Sequence, residues 1–259
     1  DSLPSRGLGD VYKRQAKMAI ESRNEFKRIL KIEKINLDLE EKGIMHLCDN
    51  YDSLKHGRRV NKWLAEAGLI RKEVTLDEML SIEPTLNLKN FAGGFYTKSD
   101  MSGDIHKFTK LLADACEKKG VKFYYETEIT RVNHNKQQPI ITFKKSNQLQ
   151  KQNYDGIVVC AGVNSKFIAN ELGDSVNIYP VKGYSITLLL NDKESVNNAP
   201  YVSLLDDKAK IVSSRLGKDR FRVAGTAEFN GYNKDIRADR INPLIKWCNE
   251  LFPKVSTEH

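Results

Sequence analysis

The chain has 259 residues, with 42 Lys and Arg against 34 Asp and Glu, a formal charge of +8. Hydrophobic residues make up 40%, and the 16 glycines and 7 prolines are ordinary counts, which excludes collagen-like and fully disordered chains. No apolar run approaches the roughly 18 to 20 residues of a membrane span, and the N-terminus lacks the apolar block of a secretory signal.

Residues Asp1–Gln15 (DSLPSRGLGDVYKRQ) carry Gly7 and Gly9, but Tyr12 stands where a dinucleotide loop needs its third glycine, and no strand precedes them. The segment resembles translated adapter sequence, so it is expected to be a non-native leader, unpacked or an arbitrary extension, with the natural sequence starting near Ala16. From Ala16 to Ile35 the apolar spacing of Met18, Phe26, Ile29, Leu30 and Ile32 predicts a helix. Gly43–Cys48 reads as a strand, and Arg58–Ala67 as a helix closed by Gly68. Thr75 with Glu78 forms a capping box for a short helix that stops before Pro84. Ala92–Thr97 is a strand. Asp104 caps a helix whose Ile105, Phe108, Leu111, Leu112 and Ala115 share a face.

That helix ends at Gly120 and feeds an expected strand, Val121–Tyr125, an order that suggests a crossover unit of a parallel sheet. Glu128–Val132 and Pro139–Lys144 are extended around a polar turn. Ser146–Asp155 is polar, and Gly156–Cys160 reads as a strand covered on both faces. Beyond Ile178 the period becomes two: Tyr184, Ile186, Leu188 and Leu190 alternate, and Ile211–Arg215 and Arg220–Ala224 flank a turn at Gly217. A last helix opens with Asn242 as cap and Pro243 in its first turn. The pattern predicts a mixed α/β fold, a parallel nucleotide-type layer interleaved with an antiparallel sheet. The expected divisions are 1–15 leader, 16–100 and 178–259 in the antiparallel module, and 101–177 in the nucleotide-type layer.

The charges are interleaved rather than banked. Ala16–Lys42 holds seven basic and six acidic residues, and the one-sided stretch Arg58–Lys72 is followed at once by Glu73, Asp77, Glu78 and Glu83. Without a basic stripe and interleaved aromatics, nucleic acid is not an expected partner. Cys48, Cys116, Cys160 and Cys248 form no CxxC pair and the five histidines show no metal-ligand spacing, so buried thiols in a reducing compartment are expected and no metal. His106, Tyr96 and Tyr201 each admit a site reading, against a solvent-facing or core role that such residues more commonly fill.

In the segment IVVCAGVNS, a strand ends at Ala161–Gly162 and a helix begins near Asn164 or Ser165, a junction at which small residues let a cofactor approach the backbone. A plain tight turn accounts for it equally. With GGFYTKSDMSGDIHKF (Gly93–Phe108), YPVKGYS and RVAGTAEFNG in the same order and approximate spacing, the chain from Ala16 to His259 resembles the D-amino-acid dehydrogenase branch of the glycine oxidase and D-amino-acid oxidase superfamily.

The resemblance implies a flavoprotein oxidoreductase of amino-acid catabolism that binds FAD noncovalently and oxidises the Cα–N bond of a D-amino acid to a 2-oxo acid. A quinone or other acceptor would take the electrons, in the cytoplasm with peripheral contact at the inner membrane. An oxygen-using glycine or sarcosine oxidase and a non-catalytic interaction scaffold stand as alternatives. By resemblance, Glu128, Ile129, Cys160, Ala161, Gly162 and Gly183 face the cofactor, and Lys182, Tyr184 and Lys210 the substrate. Lys210 would pair with the substrate carboxylate, or stand as an exposed strand lysine. The family's three-glycine loop is expected before Ala16 and its arginine-bearing stretch after His259. The chain is therefore expected to be a piece with weak or no FAD binding and no turnover.

Overall fold

The computed structural model describes residues 3–134 and 138–257. In chain order its elements are α1 (Leu3–Ile32), β1 (Ile44–Cys48), α2 (Tyr51–Glu66), β2 (Lys72–Val74), α3 (Leu76–Ile82), β3 (Gly93–Thr97) and α4 (Ile105–Lys118). Then come β4 (Thr127–His134), β5 (Pro139–Lys145), β6 (Gln148–Asn153), a 3₁₀ turn (Gly162–Asn164) and α5 (Ser165–Glu171). The last are β7 (Lys182–Leu189), α6 (Lys193–Asn198), β8 (Ser203–Asp206), β9 (Ile211–Leu216), β10 (Arg220–Glu228) and α7 (Ala238–Leu251). They form two compact units. The first comprises residues up to Ala115, Gly183–Ala227 and from Asp235; the second comprises Cys116–Lys182 and Glu228–Lys234. These boundaries lie 15 residues beyond the expected 100 and five beyond the expected 177.

The first unit is built on a seven-stranded sheet in the order β2-β3-β1-β8-β9-β10-β7. The β2/β3, β3/β1, β8/β9 and β9/β10 pairs are antiparallel, while β1 and β8 run parallel. Strand parity sends Met45, Leu47, Leu204, Phe221, Val223, Tyr184 and Leu188 into one core with Leu244, Trp247, Cys248 and Leu251 of α7 and Met79 of α3. Full burial of a side chain such as Phe221 or Leu204 contributes about 1.5–3 kcal/mol. Phe221 meets Phe252 edge-on with centroids 5.4 Å apart. Local signals are realised where they are complete: the Thr75–Glu78 box caps α3 with both reciprocal bonds, and Asp104 Oδ1 accepts from Lys107 N at 3.1 Å at the start of α4.

Other expectations are corrected. α1 starts at Leu3, so the stretch expected to be unpacked is helical; Tyr12 stacks on Trp63 at 5.6 Å and Lys13 pairs with Glu66 at 2.5 Å. α2 begins at Tyr51 rather than Arg58, because Asn50 and Ser53 form a capping box and Gly57 is kept inside the helix. A Cβ at Gly57 would overlap the Phe95 ring, so the glycine marks close packing and not a helix boundary. α7 begins at Ala238, not at Asn242, with Pro243 in its second turn. A proline there forfeits one backbone bond without ending the helix.

The second unit holds the antiparallel sheet β4-β5-β6, with a bulge between Ile129 and Arg131. α5 is tied to it by Val132 N donating to Glu171 Oε2 at 3.0 Å. The expected strands Val121–Tyr125 and Gly156–Cys160 are not laddered, and the parallel pairing of β1 with β8 lies in the first unit. Val158 is 87% exposed, the opposite of a strand covered on both faces. An apolar run sets extended backbone, but a ladder needs a partner in register, and none of the described residues supplies one. The polar turn expected near residues 135–137 lies outside the described residues.

Candidate functional site

Because β1 and β8 are parallel, with Leu47 opposite Asp206, both chains leave the first unit's sheet at the same end. In open sheets, ligands bind outside the carboxyl ends of parallel strands. Here the exits carry Asp49 from β1 and Asp207–Lys210 from β8. Consecutive acids divide by parity. Asp206 turns inward, where Oδ2 accepts from Trp247 Nε1 at 2.9 Å and Oδ1 accepts from Lys208 N and Ala209 N at 3.1 and 2.9 Å. Asp207 turns outward to His46, whose Nδ1 lies 3.9 Å from Oδ2, too long for a hydrogen bond.

Around these groups is a cleft of about 530 Å³, lined among others by His46, Ser53, His56, Arg71, Lys208 and Lys210. Lys208 Nζ pairs with Asp49 at 2.7 Å. Arg71 is held by Asn61 Oδ1 at 2.5 Å and the Gly57 carbonyl at 3.3 Å, its guanidinium 4.7 Å from the centre of the Phe95 ring. Lys210 adopts a left-handed backbone (φ 57°), a conformation that costs a non-glycine residue roughly 1–3 kcal/mol and that clusters at functional sites. The His46 ring, then Lys210 and Arg71, hold the Asp207 carboxyl below the ordinary carboxylate range. Lys208 does the same to Asp49. Burial lowers the Arg71 guanidinium and raises the Cys48 thiol.

Of the residues assigned to substrate, Lys210 lines this cleft. Tyr184 is 6% exposed within the core, its hydroxyl 3.4 Å from the Asp235 carbonyl. Lys182 forms an ion pair with the buried Glu228 at 3.0 Å in the second unit. Tyr96 donates to the Lys42 carbonyl at 2.8 Å, and Tyr201 has Lys42 and Arg215 over its ring. His106 is exposed on the first turn of α4. Sequence reasoning passed over His46, Arg71 and Asp207. Parity along β1 and β8 was the available signal for two of them; Arg71 had none.

In the second unit, Glu128 and Ile129 lie on β4, with Ile129 opposite Phe143. Cys160 is exposed, Ala161 N donates to Ser165 Oγ at 3.2 Å, and Gly162 has a left-handed φ of 56°. A Cβ at Gly162 would meet nothing within 4 Å. Among the described residues, no group of three His, Cys, Asp or Glu could hold a metal, and no helix is long and apolar enough to cross a membrane.

Residues 3–259 match the family model described as FAD dependent oxidoreductase. This chain belongs to the FAD-dependent oxidoreductase family. A D-amino acid dehydrogenase 3 of Mesorhizobium japonicum is 49% identical over 243 residues, 94% of this chain and 58% of that protein. A D-amino acid dehydrogenase of Dechloromonas aromatica is 35% identical over 92% of this chain and 57% of its own. The chain thus spans a little over half the length of the curated relatives it matches. Glycine oxidase from Geobacillus kaustophilus shares the fold, with a TM-score of 0.77 at 18% identity over 92% of this chain and 61% of that one.

The flavin nucleotide of this FAD-dependent oxidoreductase family can be tested against the residues present. At Gly162 a Cβ would meet open space, so the backbone there is accessible to a flat or phosphorylated group. A glycine-rich loop after a strand, which a diphosphate needs, does not occur among the described residues.

Proposed function

We propose that this chain is part of an FAD-dependent dehydrogenase that oxidises the Cα–N bond of a D-amino acid to an imino acid, which water converts to a 2-oxo acid and ammonia. The observation that carries the reading is the 49% identity to a D-amino acid dehydrogenase across 94% of the chain. Within the second unit, Glu128, Ile129, Cys160, Ala161 and Gly162 are the residues this reading assigns to the cofactor. When bound, FAD supplies a two-electron acceptor for the Cα hydride.

The protein's own task is to hold Cα in one orientation. In the first unit, Lys210 pairs with the substrate α-carboxylate, and Asp207, kept ionised by His46, Lys210 and Arg71, pairs with the ammonium. Tyr184 acts from the core by fixing β7, and Lys182 by fixing Glu228 in the second unit. A quinone as acceptor, with cytoplasmic location and peripheral contact at the inner membrane, belongs to the same proposal.

The test is anaerobic bleaching of flavin absorbance in the full-length gene product. D-alanine should bleach it and L-alanine should not, with electrons recovered by a quinone analogue. Bleaching by L-alanine alone, or peroxide formed stoichiometrically with glycine or sarcosine, would replace the dehydrogenase reading.

A further inference from the structure

The cleft at the carboxyl ends of β1 and β8 holds more positive charge than its own carboxylates balance. Three fixed cations, Arg71, Lys208 and Lys210, face two carboxylates, Asp49 and Asp207. Lys208 is spent on Asp49 at 2.7 Å. Among the described residues, no carboxylate lies within 4.0 Å of Arg71 or Lys210. Arg71 is half-buried, so its missing counter-charge matters more than it would for a surface arginine. Its Nε and Nη2 are fixed by Asn61 and Gly57, and Phe95 lies against its guanidinium. Among the described residues no acceptor takes the Nη1 hydrogens, which leaves one oriented edge of the guanidinium for a planar anion. His46 Nδ1 is likewise buried without a hydrogen-bond partner.

We propose that this cleft selects an amino acid with an acidic side chain, its side-chain carboxylate at Arg71 and its α-carboxylate at Lys210. The inference rests on the dehydrogenase reading for the amino-acid frame of the ligand and adds the class of side chain. Charge decides between ligands. Counting only its Lys, Arg and Asp side chains, the cleft carries one positive charge in excess. A zwitterion with a neutral side chain leaves that charge uncompensated, whereas glutamate or aspartate, net −1, cancels it. Asp207 meets the ligand ammonium, so each ionised group of the ligand finds an opposite charge. A simple anion such as phosphate would find the cations but would face Asp207 with a like charge.

The test is calorimetric titration of this chain with D-glutamate, D-alanine and inorganic phosphate, repeated on Arg71→Met and Arg71→Lys. D-glutamate should bind at least about tenfold more tightly than D-alanine and than phosphate, the scale of one compensated charge. Arg71→Met should bring the D-glutamate to D-alanine ratio within about threefold, and Arg71→Lys should restore part of it. Equal affinities of the parent chain for D-glutamate and D-alanine overturn the proposal without reference to any variant. So does phosphate binding as tightly as D-glutamate, or a preference that survives Arg71→Met. A full-length protein whose flavin no D-amino acid bleaches would remove the dehydrogenase reading and leave this charge preference standing. Bleaching by D-alanine in preference to D-glutamate would remove the preference alone.

Discussion

Glu83 is fully buried, yet it belongs to no catalytic group; replacing it tests how the first unit's sheet is anchored. Its Oε2 accepts from Tyr201 N at 2.6 Å and Val202 N at 3.0 Å, and its Oε1 accepts from Thr85 Oγ1 at 2.7 Å. The carboxylate thus ties the end of α3 to the entry of β8, the strand whose far end carries Asp206 and Asp207. Glu83→Ala orphans two backbone N–H groups, each costing about 1–3 kcal/mol, and we expect a total loss of about 3–5 kcal/mol. That is a large share of the roughly 5–15 kcal/mol of a typical domain. Glu83→Gln keeps one oxygen where both N–H groups already converge, and the Thr85 hydroxyl can reverse, so its cost should be about 1 kcal/mol. Urea unfolding at unchanged m measures the difference, and amide exchange at Tyr201 and Val202 locates it. The reasoning fails if Glu83→Ala unfolds within about 1 kcal/mol of the parent, or if those two amides exchange at parental rates.

Gly57→Ala should cost about 1–3 kcal/mol in the same assay, because the added methyl meets the Phe95 ring inside a packed layer; a gain in stability, as for an exposed helix glycine, would contradict the packing. The Cys248 thiol is pushed up to about 12 by burial from an ordinary 9.0. The folded state therefore holds this proton more tightly than the unfolded chain, and its contribution, intact below pH 9.0, should be lost as pH rises toward 12. Urea midpoints measured against pH should fall more steeply above pH 9.0 in the parent than in Cys248→Ala. Lys182→Met should destabilise more than the double variant Lys182→Met/Glu228→Gln, because the single change leaves the charge of buried Glu228 without its 3.0 Å partner; a double variant no better than the single would argue that the pair is not coupled.

Signals contained within one turn of chain were legible. The Thr75–Glu78 box, the Asp104 cap, the Gly217 turn and the alternation from Tyr184 to Leu190 all depend on neighbours a few residues away. What failed depended on distant partners. The helix was expected only from Arg58, and the Phe95 ring that accounts for a glycine at position 57 inside α2 lies 38 residues on. β8 has four residues and was assigned no element from the sequence, yet it pairs with β1 and β9 and so sits inside the sheet. Val121–Tyr125 and Gly156–Cys160 erred in the other direction: their composition favours strands, but propensity sets only the backbone's extension, and the ladder is a property of two segments.

The site divides along the same line. Lys210 was reached through a family resemblance, and its place in the cleft follows from a left-handed residue at the β8–β9 turn that no composition count reveals. Asp206 and Asp207 are adjacent and chemically identical, but strand parity gives one to Trp247 in the core and the other to His46 at the cleft. A one-residue change of register in β8 would exchange these roles, burying the charge that now faces the cleft and exposing the one that fixes the turn. The parallel pairing of β1 with β8 therefore decides which carboxylate faces the cleft, and Glu83, by holding the entry of β8, is one of the residues that fixes that register.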